Sequence, residues 1–302
     1  MKLQRALLAI SLLLVGCGNL SVKLPAVTDN VNNTRLPGKV IWHDLITDTP
    51  DASIQFYSGL FGWEFEKLTV PRGLFKTLDY YVITLNGQII GGMVDQNDLR
   101  ADVNLSQWVV ALSTDNLDAA LTTVRAQGGV VFGQPVDLKA RGRIAVVADQ
   151  QGALFALLQT KDGDPADKPV ISAGDFLWNE LWTTNARAAE GFYQSMLPYV
   201  VVTHDVKNTE RTYQVLSSQG EPRIGVMPMP VKDLAPTWVA YLRVADAQSL
   251  DAILAKVEGL GGSVLLPAQD RLVGGRAALI AGPSGAGIAL QTWSFDEQVQ
   301  GQ

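Results

Sequence analysis

The sequence predicts an α+β protein of two tandem units, each made of two βαβββ modules, four modules in all. Internal repetition is the first observation behind this. Trp42-His43-Asp44-Leu45 followed by Phe56-Tyr57 recurs, 136 positions on, as Trp178-Asn179-Glu180-Leu181 followed by Phe192-Tyr193. Gly128-Gly129, Gly142-Arg143 and Gly152-Ala153 recur 133 positions on as Gly261-Gly262, Gly275-Arg276 and Gly285-Ala286. Matching pairs in one order at a nearly constant offset mark a duplication. The second observation is the order strand, helix, strands, which appears twice within each unit. The third is composition: 47% hydrophobic and 18% charged residues supply packed cores and exclude disorder.

In the first unit, Lys39 to Ile46 is an apolar strand, and Thr49 to Phe61 carries Ile54, Tyr57 and Phe61 at helical spacing. Tyr80 to Leu85 and Ile89 to Val94 flank Asn86-Gly87, a hairpin signal. The order then repeats: strand Trp108 to Ser113, helix Asn116 to Gln127 ended by Gly128-Gly129, strands Arg143 to Ala148 and Leu154 to Leu158. The second unit follows with strands at 175–181, 213–216, 223–227, 238–244, 277–281 and 287–292, and helices at 186–196 and 249–260. The units span 38–160 and 172–295, joined by a linker at 161–171 that contains KDGDPADKP, with a tail at 296–302.

The first sixteen residues place Lys2 and Arg5 before an apolar run from Ala6 to Val15, the pattern of a signal peptide and too short to span a bilayer. The run ends in Leu14-Val15-Gly16-Cys17, which resembles the bacterial lipobox, and Cys17 is the only cysteine of the chain. That resemblance implies lipidation of Cys17, anchoring in the cell envelope facing the periplasm and, with Gly18 next, sorting to the outer membrane. Cleavage before Cys17 removes Lys2 and Arg5 and takes the formal net charge from −6 to −8. Residues 17–37 then read as a lipidated cysteine and a flexible polar tether. An acidic chain without a basic run excludes nucleic acid as a partner class.

Trp42-x-Asp44-Leu45-x-Thr47, Phe56-Tyr57-x-x-Leu60-Phe61-Gly62-Trp63, Gly91-Gly92, Gly128-Gly129 and Gly142-Arg143-x-x-x-Val147-x-Asp149-x-x-Gly152-Ala153 resemble the vicinal oxygen chelate superfamily. That superfamily includes glyoxalase I, bleomycin and fosfomycin resistance proteins and extradiol dioxygenases. The resemblance covers Pro37 to Phe295 and is closest to the two-domain glyoxalase-like or hydroxylase-like branch. It implies that paired modules curl into two incomplete barrels around cavities, and that a divalent metal is held by His, Gln or Glu on the first strand of a module and Glu on the last.

Set against those positions, the first strands present Trp42, Trp108, Trp178 and Trp238, and the last strands Ala156 and Ala289. None of these side chains ligates a hard or borderline cation, so no metal and no cofactor are expected. Side chains alternate along a strand, which puts His43 on the face opposite Trp42, under the covering helix. His43 has no companion ligand, since His204 lies in the other unit. The four tryptophans read either as barrel core or as the lining of an apolar pocket for a small molecule. Asp44 and Glu180 share the face of Trp42 and Trp178, and Arg143 and Arg276 are candidate partners for these acids, with a solvated rim position open to both. Three functions follow: metal-free small-molecule binding, a lyase or oxygenase-type enzyme with Asp44 or Glu180 as general base, or an envelope scaffold.

Overall fold

The computed structural model describes residues 22–71, 77–99, 103–205, 212–230, 234–271 and 274–293. Cys17, the apolar run before it and the tail lie outside them. The first unit contains β1 (Val40–Thr47), α1 (Pro50–Phe61), β2 (Glu64–Pro71), β3 (Thr77–Leu85) and β4 (Gln88–Asp95). Its second module is β5 (Gln107–Ser113), α2 (Leu117–Ala126), β6 (Val130–Asp137), β7 (Arg143–Ala148) and β8 (Leu154–Gln159). The second unit repeats this with β9 (Phe176–Thr183), α3 (Ala186–Met196), β10 (Val200–Asp205), β11 (Thr212–Ser218) and β12 (Glu221–Pro228). The last module is β13 (Thr237–Val244), α4 (Ala247–Val257), β14 (Ser263–Asp270), β15 (Arg276–Ala281) and β16 (Gly287–Thr292).

Local sequence sets the boundaries. Asn116, Asn185 and Asp246 cap α2, α3 and α4 by accepting from the backbone N–H three residues on. Helix α1 starts instead with Pro50 in its first turn and ends at Gly62, in the left-handed conformation at φ 70°. Asn86-Gly87 and Gln219-Gly220 both take positive φ, as tight hairpins require.

Each unit forms one eight-stranded sheet, ordered β2-β3-β4-β1-β5-β8-β7-β6 in the first and β10-β11-β12-β9-β13-β16-β15-β14 in the second. Each sheet is an incomplete barrel with an inner and an outer face. The strands β2, β6, β10 and β14, which sequence reading did not resolve, are the four sheet edges. Their exposed, partly charged faces suit edges and hide the apolar alternation.

The outer faces and the helices bury each other across the domain boundary. Helix α1 lies against α4 and α2 against α3, so the first module meets the fourth and the second meets the third. Leu45, Phe56, Tyr57 and Trp63 share one core with Leu242, Leu250 and Ile280. Val110, Leu121, Val124 and Phe155 share another with Leu181, Phe192 and Tyr193.

Residues 22–37, expected to be a free tether, are part of the fold. Leu24 and Val27 are buried on the inner face of the first domain with Trp42, Val109, Ala111, Phe132 and Leu138. Arg35 Nε donates to Thr160 O at 2.9 Å, and Leu36 N to Asp164 Oδ2 at 2.6 Å. Spaced apolar side chains within a polar composition anchor the segment: full burial of each contributes roughly 1.5–3 kcal/mol, and the polar neighbours supply the lateral hydrogen bonds.

Candidate functional site

Strand alternation turns Trp42 and Asp44 to the inner face of the first domain, where their side chains meet. Trp42 Nε1 donates to Asp44 Oδ1 at 2.9 Å and to Tyr80 Oη at 3.1 Å, and Tyr80 Oη donates to Asp44 Oδ1 at 2.8 Å. The Tyr80 hydroxyl is pressed against Gly92, where a Cβ would overlap it. Arg141, from the β6–β7 turn, donates through Nη1 to Tyr80 Oη at 2.7 Å and lays its guanidinium 4.0 Å over the Trp42 ring. Such a desolvated cation–aromatic contact is worth about 2 kcal/mol. Burial pushes the Tyr80 hydroxyl well above its ordinary pKa, so it stays a proton donor.

The second domain repeats the constellation around Glu180, which is fully buried. Tyr213 Oη donates to Glu180 Oε1 at 2.6 Å and accepts from Trp178 Nε1 at 2.9 Å. Tyr241 Oη and Trp182 Nε1 donate to Oε2, the latter at 3.1 Å. Arg271 Nη2 pairs with Oε1, and its Nη1 donates to Gln291 Oε1 at 2.8 Å. Burial opposes the Arg271 charge, but Glu180 and the neighbouring tyrosines outweigh it and raise the guanidinium pKa further. Burial, then the Glu180 charge, raises both tyrosine hydroxyls. Four donors therefore surround one carboxylate that has no free lone pair.

Four of the eight sequence-identified side chains come together in this way: Trp42 with Asp44, and Trp178 with Glu180. The other four do not. Trp108 stands opposite Leu45 in the sheet and Trp238 opposite Leu181, on the outer faces. Trp108 donates to Tyr57 Oη at 3.1 Å within the interdomain core, and Trp238 packs on Phe155 and Tyr193. Val109 and Ala111 take the inner face instead, because a one-residue difference in strand register turns every side chain over. Arg143 and Arg276 are not the partners of the acids. Arg143 holds Asp118 at 2.9 and 3.0 Å on the surface, and Arg276 lies near Asp251 and Asp270.

Arg141 and Arg271 take their place, and sequence comparison could not pair them because they occupy different positions of equivalent turns. Leu138 N bonds to Gly142 O in one turn and Arg271 N to Gly275 O in the other, so Arg271 corresponds to Leu138. Tyr80 and Tyr213 did carry a signal, standing at the same 133-residue offset as the glycine pairs.

His43 is turned away from Trp42, as expected, but toward the other domain and not toward a helix. Its Nε2 lies 2.8 Å from Oδ1 of Asn179, its own counterpart in the repeat, and its ring stacks on Phe176 with centroids 3.6 Å apart. Burial lowers the His43 pKa to about 4, which leaves it neutral and donating to Asn179.

These donors do not fit a divalent cation. Among the described residues, each inner face offers one carboxylate at this position, held by tyrosine and tryptophan donors, and in the second domain a guanidinium already neutralises it. Ala156 and Ala289 are buried on the inner faces where the resemblance implies glutamate. Among the described residues the one close group of three acids is Asp79, Asp95 and Asp98, of which Asp79 is paired with Lys67 at 2.6 Å.

A cleft of about 540 Å³ opens where the two domains and the linker meet. It is lined by Trp178, Tyr213, Arg271 and Gln291 of the second inner face, and Trp42 and His43 of β1 reach its wall. The linker closes one side: Asp167 binds Lys39 at 2.9 Å and Arg223 at 2.5 and 3.1 Å, tying β1 to β12. Burial lowers the Lys39 pKa, with Asp167 opposing the shift.

With this geometry in place, the likeness to known proteins is specific. Residues 39–157 match the model of the glyoxalase/bleomycin resistance protein/dioxygenase superfamily. The anthracycline biosynthesis protein DnrV of Streptomyces peucetius is 29% identical over 84% of this chain and 93% of its own length. A Mn(II)-bound glyoxalase from Novosphingobium aromaticivorans superimposes with a TM-score of 0.56 at 16% identity, covering 85% of this chain and 82% of its own. Homoprotocatechuate 2,3-dioxygenase from Brevibacterium fuscum, in complex with 3,4-dihydroxyphenylacetate, gives a TM-score of 0.57 at 11% identity, covering 89% and 85%. At these identities the two structures share the fold. Residues 39–157 thus match a domain of the glyoxalase/bleomycin resistance protein/dioxygenase superfamily, and residues 176–292 repeat the strand order of that domain.

Proposed function

We propose that the protein binds a planar, largely apolar small molecule in the cleft beside Trp178 and Tyr213, without a metal ion. The observation that carries this reading is the cleft itself: its volume lies in the range of small-molecule pockets, and it joins aromatic walls to a few fixed polar groups. The likeness to a protein named for anthracycline biosynthesis supports a fused-ring ligand. Glu180 is a poor general base, since every lone pair of its carboxylate is engaged, and Asp44 already accepts from Trp42 and Tyr80. A scaffold role accounts less well for an open cleft of this size.

Titrating an anthracycline into the purified protein after chelation tests the reading. Saturable quenching of the ligand's fluorescence at one equivalent is expected, weakened at least tenfold by Trp178→Leu; binding that appears only when divalent metal is restored would refute it. We further propose that Cys17 is lipidated and holds the protein at the outer membrane, facing the periplasm, on the strength of Leu14-Val15-Gly16-Cys17 after a basic and apolar leader. Labelled palmitate should enter the wild-type chain and not Cys17→Ser. Equal labelling of both removes the anchor from the account.

A further inference from the structure

The two inner faces carry corresponding groups but differ in what covers them. On the second, Arg271 reaches Glu180 directly and the face opens to the cleft. On the first, the shorter Asp44 is linked to Arg141 through Tyr80 Oη, at 2.8 and 2.7 Å. Arg141 is 1% exposed, and its Nη2 is buried with no hydrogen-bond partner among the described residues. A buried, incompletely satisfied guanidinium is unfavourable and suits a forked acceptor, which a carboxylate provides.

What covers this face is the chain's own N-terminal segment. Leu24 and Val27 lie in the apolar cluster with Trp42, Leu138 and Ala156. Pro25 O accepts from Arg141 Nε at 3.0 Å, and Leu24 N reaches Leu138 O at 3.4 Å, a long hydrogen bond. The segment thus offers two apolar side chains and one carbonyl oxygen to a pocket with an aromatic floor and a fixed cation. It fills the apolar volume while leaving Nη2 unanswered.

We propose that the inner face of the first domain is a second binding site, for an apolar organic anion, and that residues 22–27 are its built-in occupant. The carboxylate of such a molecule bridges Arg141 Nη2 and Nε, displacing Pro25 O. Its body lies against Trp42 in the volume of Leu24 and Val27. The site adjoins the proposed cleft, whose wall Val27 and Trp42 also reach, but its anchoring cation is Arg141, which does not line the cleft.

Calorimetric titration with 2-naphthoate, against neutral 2-naphthamide, tests this on the full mature protein and on a Leu24→Asp, Val27→Asp double variant. The double variant is expected to take up one more equivalent of 2-naphthoate than the wild type. Adding Arg141→Gln should weaken that equivalent at least tenfold, and 2-naphthamide should not supply it. Trp178→Leu should leave it in place, which separates its failure from failure of the cleft reading. No additional equivalent in a folded double variant, or one that survives Arg141→Gln or accepts 2-naphthamide equally, overturns the proposal. Should the double variant fail to fold, hydrogen exchange in the wild type decides. Excess 2-naphthoate is expected to accelerate exchange of the Leu24 amide severalfold, and unchanged exchange overturns the proposal.

Discussion

One methylene separates Asp44 from Glu180, and the two arginines come from different positions of equivalent turns, so Arg271 reaches its acid directly and Arg141 through Tyr80. Alternation along β1 and β9 made the Trp and acid pairs legible in sequence, because period two needs only the strand to be recognised. The tyrosines and arginines that complete the networks come from β3, β11, β13 and hairpin turns, distant in sequence and joined by sheet order, which no local pattern reports. His43 gives a test at this scale. Its pKa falls from about 6.5 unfolded to about 4 folded, so between these values the unfolded chain binds the proton more readily. Its contribution is complete above pH 6.5 and is lost as pH falls toward 4, for a total of about 3 kcal/mol. Denaturant unfolding followed from pH 7 to 4 should show His43→Gln, which keeps a donor for Asn179, losing less stability than the wild type. Parallel curves would mean that His43 does not titrate as its burial requires.

The modules were legible as elements wherever both faces are buried, as in β1, β5 and β8, and hidden where a strand is an edge. Trp108 and Trp238 show the opposite hazard: a correctly placed strand with its register shifted by one sends the residue to the wrong side. The repeated glycines have a packing explanation. At Gly262 a Cβ would overlap the Phe56 ring and meet Ala281 O at 2.5 Å, and at Gly129 a Cβ would meet Ala148 O at 2.7 Å and the Phe192 ring at 3.0 Å. These are reciprocal contacts of α1 with the fourth module and α3 with the second. Gly262→Ala is therefore expected to destabilise by about 1–3 kcal/mol through overpacking. Gly259→Ala, with nothing within 4 Å of its Cβ, should be neutral or slightly stabilising. Equal melting temperatures for the two variants would show that the helix contacts tolerate a methyl group.

Across the whole molecule, duplication has produced two similar inner faces with different fates. The first is closed by residues 22–37, whose polar composition read as a tether because two spaced apolar side chains, Leu24 and Val27, make no periodic signal. The second remains open to a cleft that both domains and the linker build. The cleft was beyond sequence reading, since it depends on how outer faces dock and on Asp167 bridging Lys39 and Arg223. Locating a ligand directly tests the central claim. In crystals soaked with a brominated anthraquinone, the bromine anomalous peak is expected in the cleft beside Trp178 and Tyr213, in protein freed of divalent metal. A peak elsewhere with an empty cleft, or one seen only after metal is added, would contradict it.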